Sequence, residues 1–157
     1  MELALFEAVA EGCRSLVPRS IGDIHVRART YGVKVWFGST DPPKDHYEAQ
    51  VVGAKHVLGA TALAIEVGFH LEHRELEDND EALDSLLRHE SAWRAVLGDD
   101  AVAGPFIGRP EDWRRISETW VDPDLSDPEL ALELALRLTD YITALEPLRV
   151  GSGSNLE

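Results

Sequence analysis

One cysteine in 157 residues rules out an internal disulfide, so packing and polar contacts must hold this chain together. That residue, Cys13, falls on the apolar stripe of the first predicted helix, where a thiol behaves as a small buried hydrophobe rather than a nucleophile. Positive charge is scarce too. Fifteen Lys and Arg face 29 Asp and Glu, and a formal net charge of -14 repels nucleic-acid phosphates and anionic membrane surfaces. No apolar run approaches the roughly 20 residues that span a bilayer. The acidic opening, with Glu2 and Glu7, lacks the basic segment of a secretory signal. The expectation is a cytoplasmic protein without nucleic-acid or membrane partners. Lysine is rarer than arginine, three residues against twelve, a bias of GC-rich bacterial genomes.

Familiar catalytic signatures are missing as well. Gly151-Ser152-Gly153-Ser154 has neither the strand before it nor the helix after it that a phosphate loop requires. Ser, His and Asp occur without a nucleophile elbow. Asp78-Asn79-Asp80-Glu81 opens like a calcium loop but lacks the glycine at its sixth position and the glutamate at its twelfth, so helix capping explains it better. No motif calls for a cofactor, and none is expected.

What is present is periodicity. Leu5, Phe6, Val9, Cys13, Leu16 and Val17 recur at helical spacing, predicting a helix over 3–17 that stops at Pro18. Four strands follow. Ile24, Val26 and Ala28 alternate with polar residues, as do Val33, Val35 and Phe37 past a turn at Thr30 to Gly32. The loop from Gly38 to Lys44 then interrupts the ladder with two prolines. From His46 to His73 the period of two is sharpest: Tyr47, Ala49, Val51, Ile65, Val67, Phe69 and Leu71 take one face, and His46, Glu48, Gln50, Glu66, His70 and Glu72 the other.

A helix opening at Asp78 to Glu81 carries Leu83, Leu86, Leu87, Trp93, Val96 and Leu97 to Gly98. Residues 101–108 read as loop and 113–120 as a fifth strand, with a short helix as the alternative. Ser126-Asp127-Pro128-Glu129 opens a last helix that ends before Pro147. The composite is an α+β domain over 1–150, an antiparallel four- to five-stranded meander covered on one face by three helices, in the order α-β-β-β-β-α-(β)-α. Residues 151–157 read as a flexible tail whose final Leu-Glu is compatible with a cloning remnant.

The polar sheet face concentrates the chemistry: His25, Arg27, Lys34, Trp36, His46, Glu48, Gln50, Glu66, His70 and Glu72. Its pairing decides which groups meet. With Gly53 opposite Gly59, His46 faces Glu66; a shift of two places Glu48 against Glu66, and a shift of four places His46 against His70. Glu48, Glu66 and His70 are the candidate catalytic residues, and His46, Glu66 and His70 the candidate metal ligands, since imidazole and carboxylate suit zinc, iron or manganese. Trp36, His46, Gln50, Arg27 and Glu72 are the candidate binding residues, although the loop at 38–44 or the segment around Trp113 is expected to fold over Trp36. Extended backbone separates residues 66 and 70 by about 13 Å, so they need a neighbouring strand to share an ion. His73 is expected to point away from His70.

Glu48-Ala49-Gln50, preceded by Asp45 and Glu7, resembles the acidic motif of restriction-nuclease-like folds, with Gln50 where that motif carries a basic residue. That departure and the negative charge argue against a DNA substrate. In element order and composition the chain resembles type III secretion chaperone-like folds. This resemblance implies a non-catalytic protein-binding module with a protein partner or self-association, using the polar face or the edge strand from Ile24 to Ala28. The alternatives are a metal-dependent enzyme or metalloprotein built on the Glu/His cluster, and an acidic immunity or antitoxin-like protein that neutralises a basic partner.

Overall fold

The alternation over residues 24–72 folds as the meander it predicts, and two more strands extend it. In the computed structural model, which describes residues 2–154 and the side chains of 3–149, six antiparallel strands form one sheet in the order β1-β2-β3-β4-β6-β5. They are β1 (Ile24–Arg29), β2 (Gly32–Phe37), β3 (Asp45–Gly53), β4 (Leu63–Leu71), β5 (Val102–Phe106) and β6 (Arg109–Val121). Helices α1 (Glu2–Leu16), α2 (Leu76–Leu87), α3 (Glu90–Leu97) and α4 (Leu130–Ser154) complete an α+β fold. Among the described residues no helix is long and apolar enough to cross a membrane.

One face of the sheet packs on helices. Val33, Val35, Tyr47, Ala49, Ile65, Val67, Phe69, Leu71 and Ile116 form a core with Phe6, Val9 and Cys13 of α1 and Leu134, Leu138, Tyr141, Ile142 and Leu145 of α4. Burying each large apolar side chain contributes about 1.5–3 kcal/mol. Burial pushes the Cys13 thiol up to about 12, which keeps it inert. Gly12 lets α1 approach α4, since a Cβ there would lie 2.6 Å from the Ala135 Cβ.

The order of the strands matters for the site. β6 enters between β4 and β5, so β4 is flanked on both sides and buried along almost its whole length. Gly68, at its centre, permits this: φ is 153°, and a Cβ would lie 2.4 Å from the Ile116 carbonyl and 2.5 Å from the Ser117 Cα.

Four local expectations are corrected. Within the segment 101–108, Val102–Phe106 is strand β5 rather than loop, because an edge strand tolerates Pro105 without losing a needed hydrogen bond. The helix expected from Asp78 to Leu97 is two helices, broken at Arg88 and His89; the Leu86 carbonyl there accepts from the His89 backbone N–H at 3.0 Å and the Trp93 indole at 2.9 Å. The turn lets both Leu86 and Trp93 enter the core. Asp78 and Asn79 do not cap this helix, which begins at Leu76. Buried Asn79 instead binds the His73 N–H, the His73 carbonyl and the Asp112 carbonyl, tying the exit of β4 to the entry of β6. Finally, α4 runs through Pro147 to Ser154, into the stretch expected as tail, while residues 155–157 lie outside the described residues. An interior proline costs about 3 kcal/mol. Leu148 packed on the core and the Arg149 pairs with Asp45 and Glu146 offset it.

Candidate metal centre

On the other face, the pairing puts His46 directly opposite His70, and β3 and β4 each carry the same short pattern there: His46-x-Glu48 and His70-x-Glu72. Alternation turns all four side chains to one side. They converge. One donor atom from each, His46 Nε2, Glu48 Oε1, His70 Nδ1 and Glu72 Oε2, makes a set lying within 4.8 Å of one another. Four separations among these atoms are 3.0 Å for His46 to Glu48, 3.5 Å for His46 to Glu72, 3.3 Å for His70 to Glu48 and 3.2 Å for His70 to Glu72. A tetrahedron with metal–ligand bonds of about 2.0–2.1 Å has edges of about 3.3–3.4 Å, and these four of its six edges lie within about 0.3 Å of that length.

The second nitrogen of each ring is held by an acceptor. His46 Nδ1 lies 2.9 Å from the Pro43 carbonyl, which can only accept, so Nδ1 carries a proton and Nε2 faces the carboxylates. His70 Nε2 lies 2.7 Å from Glu66 Oε2 and 2.9 Å from Oε1, which leaves Nδ1 facing them. An acceptor behind each imidazole is the usual support for a metal-ligating histidine. His70 Nδ1 is buried and has no aligned hydrogen bond, although two carboxylate oxygens lie 3.2 and 3.3 Å away. A buried nitrogen of this kind needs an explanation, and an ion at the centre of the four donors supplies one.

The charges reinforce this geometry. Burial alone would raise the Glu48 carboxyl, yet the His46 and His70 rings beside it outweigh this and bring it down to about 2. Glu72 is likewise held below its ordinary value against burial, by the same two rings. Burial opposes protonation of His46, and bonds to Glu48 and Glu72 override it; in His70, burial is overridden first by the charge of Glu66, which drives the ring well above 6.5. Both shifts favour a proton on each ring beside the carboxylates. A divalent ion would compete with those protons for the ring nitrogens.

Around this centre, Gln50 Nε2 donates to Glu66 at 2.9 Å and Arg115 stands opposite His70 on β6. The Phe106 ring meets His70 edge to face at 4.7 Å and walls off that side. Entry is from the carboxylates, whose side chains are 17% and 16% exposed, while His46 and His70 are 2% and 0% exposed.

The expected site residues therefore separate. Glu48, His46 and His70 come together, and Glu72, expected among binding residues, joins them. Glu66 lies outside the four donors, behind His70 as its hydrogen-bond acceptor. The 13 Å estimate describes the backbone; the two side chains, with no side chain on Gly68 between them, reach each other at 2.7 Å. His73 lies beyond the end of β4 and bonds to Asn79. Trp36 is 3% exposed, with its indole N–H on the Ser39 carbonyl, His25 stacked on it and Arg27 over its ring. Phe106 was missed because the sequence gives β5 no strand pattern, and Arg115 because the expected strand over 113–120 carries no signal that it pairs with β4. The repeated His-x-Glu was the signal that could have added Glu72.

No family model, no curated protein sequence and no solved structure matches the chain.

Proposed function

We propose that this protein is a metalloprotein that holds one divalent transition-metal ion, zinc in the first instance, between His46, Glu48, His70 and Glu72. The observation that carries this reading is the buried His70 Nδ1, aimed at two carboxylates and bonded to neither, with its other nitrogen fixed by Glu66. The donor set is two imidazoles and two carboxylates with no thiolate, which suits zinc, iron(II) or manganese over softer ions. Two carboxylate charges neutralise the ion, and Glu66 faces the charge of Arg115. Four protein donors fill a tetrahedral ion, so a small molecule reaching it from the carboxylate side would bind as a fifth ligand.

A protein-binding module using the same face is less well supported, since the two histidines are too buried to offer a partner any surface.

The test is metal analysis of protein purified without chelator, followed by zinc titration of the metal-free form. One equivalent per chain is expected, with none retained by His46→Ala/His70→Ala. At a hundredfold excess over Kd, bound zinc stabilises the fold by about 2.7 kcal/mol, a rise in melting temperature of roughly 5–10 °C. Sub-stoichiometric metal together with an unchanged melting temperature on adding zinc, manganese or iron(II) would sink the proposal.

A further inference from the structure

Beside the metal centre, toward the β1 edge, the same sheet face forms a groove of about 410 Å³. Its lining includes Arg27, Arg29, Tyr31, Lys34 and Gln50, and at its inner end Glu48, one of the four donors. The volume falls within the range of small-molecule sites. Gly32 deepens the floor: it pairs with Gln50, and a Cβ would come within 2.9 Å of the Ala49 carbonyl and 3.1 Å of the Gln50 Cβ.

Folding explains the charge pattern of this groove only in part: Arg27 lies over the Trp36 ring and Lys34 is opposite Glu48. Arg27 on β1 is paired directly with Lys34 on β2, and like charges in that position destabilise a sheet. Arg29 adds a third cation on the same face. In a chain with 29 acidic residues, none of these three forms an ion pair among the described residues, whereas seven of the remaining ten arginines do. Clustered cations without carboxylate partners, walling a groove, are what an anionic ligand needs. The next residue in the same row across the sheet, after Arg27 and Lys34, is Glu48. At about 4.8 Å per strand, the outer cation lies roughly 10 Å from the metal centre.

We infer that the groove binds a small phosphate ester, its phosphate held by Arg27, Arg29 and Lys34 and its other end directed at the ion held by Glu48 and its partners. Three cations match a phosphate dianion better than a single carboxylate charge, and arginine can grip phosphate oxygens through two parallel N–H bonds. Tyr31, at the rim and 67% exposed, offers a ring for the organic part. The inference rests on the metal-centre reading only for the direction in which the ligand lies.

The experiment is an NMR titration of metal-free protein with inorganic phosphate, with acetate at matched ionic strength as the second arm. Saturable shifts of the Arg27, Arg29, Gly32, Lys34 and Gln50 amides are expected with phosphate, and much weaker ones with acetate. In Arg27→Gln/Lys34→Gln the phosphate affinity falls tenfold or more, while zinc still binds. Loss of the like-charge opposition offsets loss of the Arg27 contact with Trp36, so the melting temperature stays near that of the parent, which shows that the variant folds. Non-saturating shifts, equal phosphate affinity in the variant, or acetate binding as tightly as phosphate would each overturn the inference. If phosphate saturates as expected but zinc does not bind the parent, the metal reading fails and the anion site stands.

Discussion

Two clusters of buried polar groups lie on opposite faces of the same sheet, and they are built on different principles. On the helix side, Glu118 of β6 accepts from the Arg137 guanidinium at 2.9 Å, the Tyr141 hydroxyl at 2.7 Å and the Trp120 indole at 2.8 Å. Its cation is permanent and its donors are all aligned. On the other side, three carboxylates share two titratable rings, and one ring nitrogen has no aligned partner. A buried network that is complete within the chain serves packing, whereas one whose donors converge on a point without satisfying each other is waiting for a ligand. The contrast is the main reason to treat His46, Glu48, His70 and Glu72 as a site rather than as another structural network.

The largest expected effect breaks both sides at once. Ser117, on the site face of β6, and Glu118, on the helix face, are neighbours, and both depend on the close approach that Gly68 allows. Gly68→Ala puts a Cβ against β6 backbone at a positive φ, which should cost about 4 kcal/mol. Chemical denaturation measures it, and zinc affinity should fall in parallel as β6 is displaced from β4. A stable variant with intact zinc binding would mean that β6 does not support the centre.

Arg137→Met should break the helix side alone. It leaves a buried carboxylate without its cation, at a cost of about 3 kcal/mol, the lower end of the range because Arg137 is partly exposed. Burial acts to raise the Glu118 pKa, and the hydrogen bond from Arg137 is the largest effect that lowers it overall. A lowered folded-state value gives stability that is complete above the unfolded carboxylate pKa and is lost as pH falls through the folded one. Removing Arg137 should therefore move acid unfolding to higher pH, as a series of denaturation curves would record. Zinc affinity should stay within error of the parent, and a large loss would show that the two clusters are coupled through the sheet.

The sequence reveals one of these faces better than the other, for reasons that can be located. Period-two alternation from residue 46 to 72 was enough to sort His46, Glu48, His70 and Glu72 onto one face, because a strand with one buried side has to alternate. Which residues sit opposite each other was open, and part of the answer comes from sixty residues downstream. Asp122, just after β6, takes hydrogen bonds from the backbone N–H groups of Thr61, Ala62 and Leu63, which anchors the start of β4 beside β6. No local pattern carries that information. Nor does one carry the role of Gly68, which looks like an interruption in a strand and is the point where the β6 backbone comes too close for any side chain. The helix-side cluster was invisible for the opposite reason: Glu118 sits in a segment whose strand character was uncertain, and two of its three partners, Arg137 and Tyr141, lie on a helix about twenty residues away.

The smallest expected effect is also the one that separates the two clusters most cleanly. Glu66→Gln keeps the size of the side chain and an oxygen able to accept from His70 Nε2, but removes the charge that makes His70 a stronger donor to an ion. Loss of such a supporting acceptor typically weakens metal binding 10- to 100-fold, about 1.4–2.8 kcal/mol at 1.4 kcal/mol per tenfold. Glu118→Gln is the matched change on the other face and should leave zinc affinity where it was, as isothermal titration of both variants would show. If both substitutions weaken zinc equally, the effect is general loosening of the sheet, and Glu66 is only another buried carboxylate. If Glu66→Gln alone does so, the charge behind His70 tunes a ligand, and that property is what the helix-side cluster lacks.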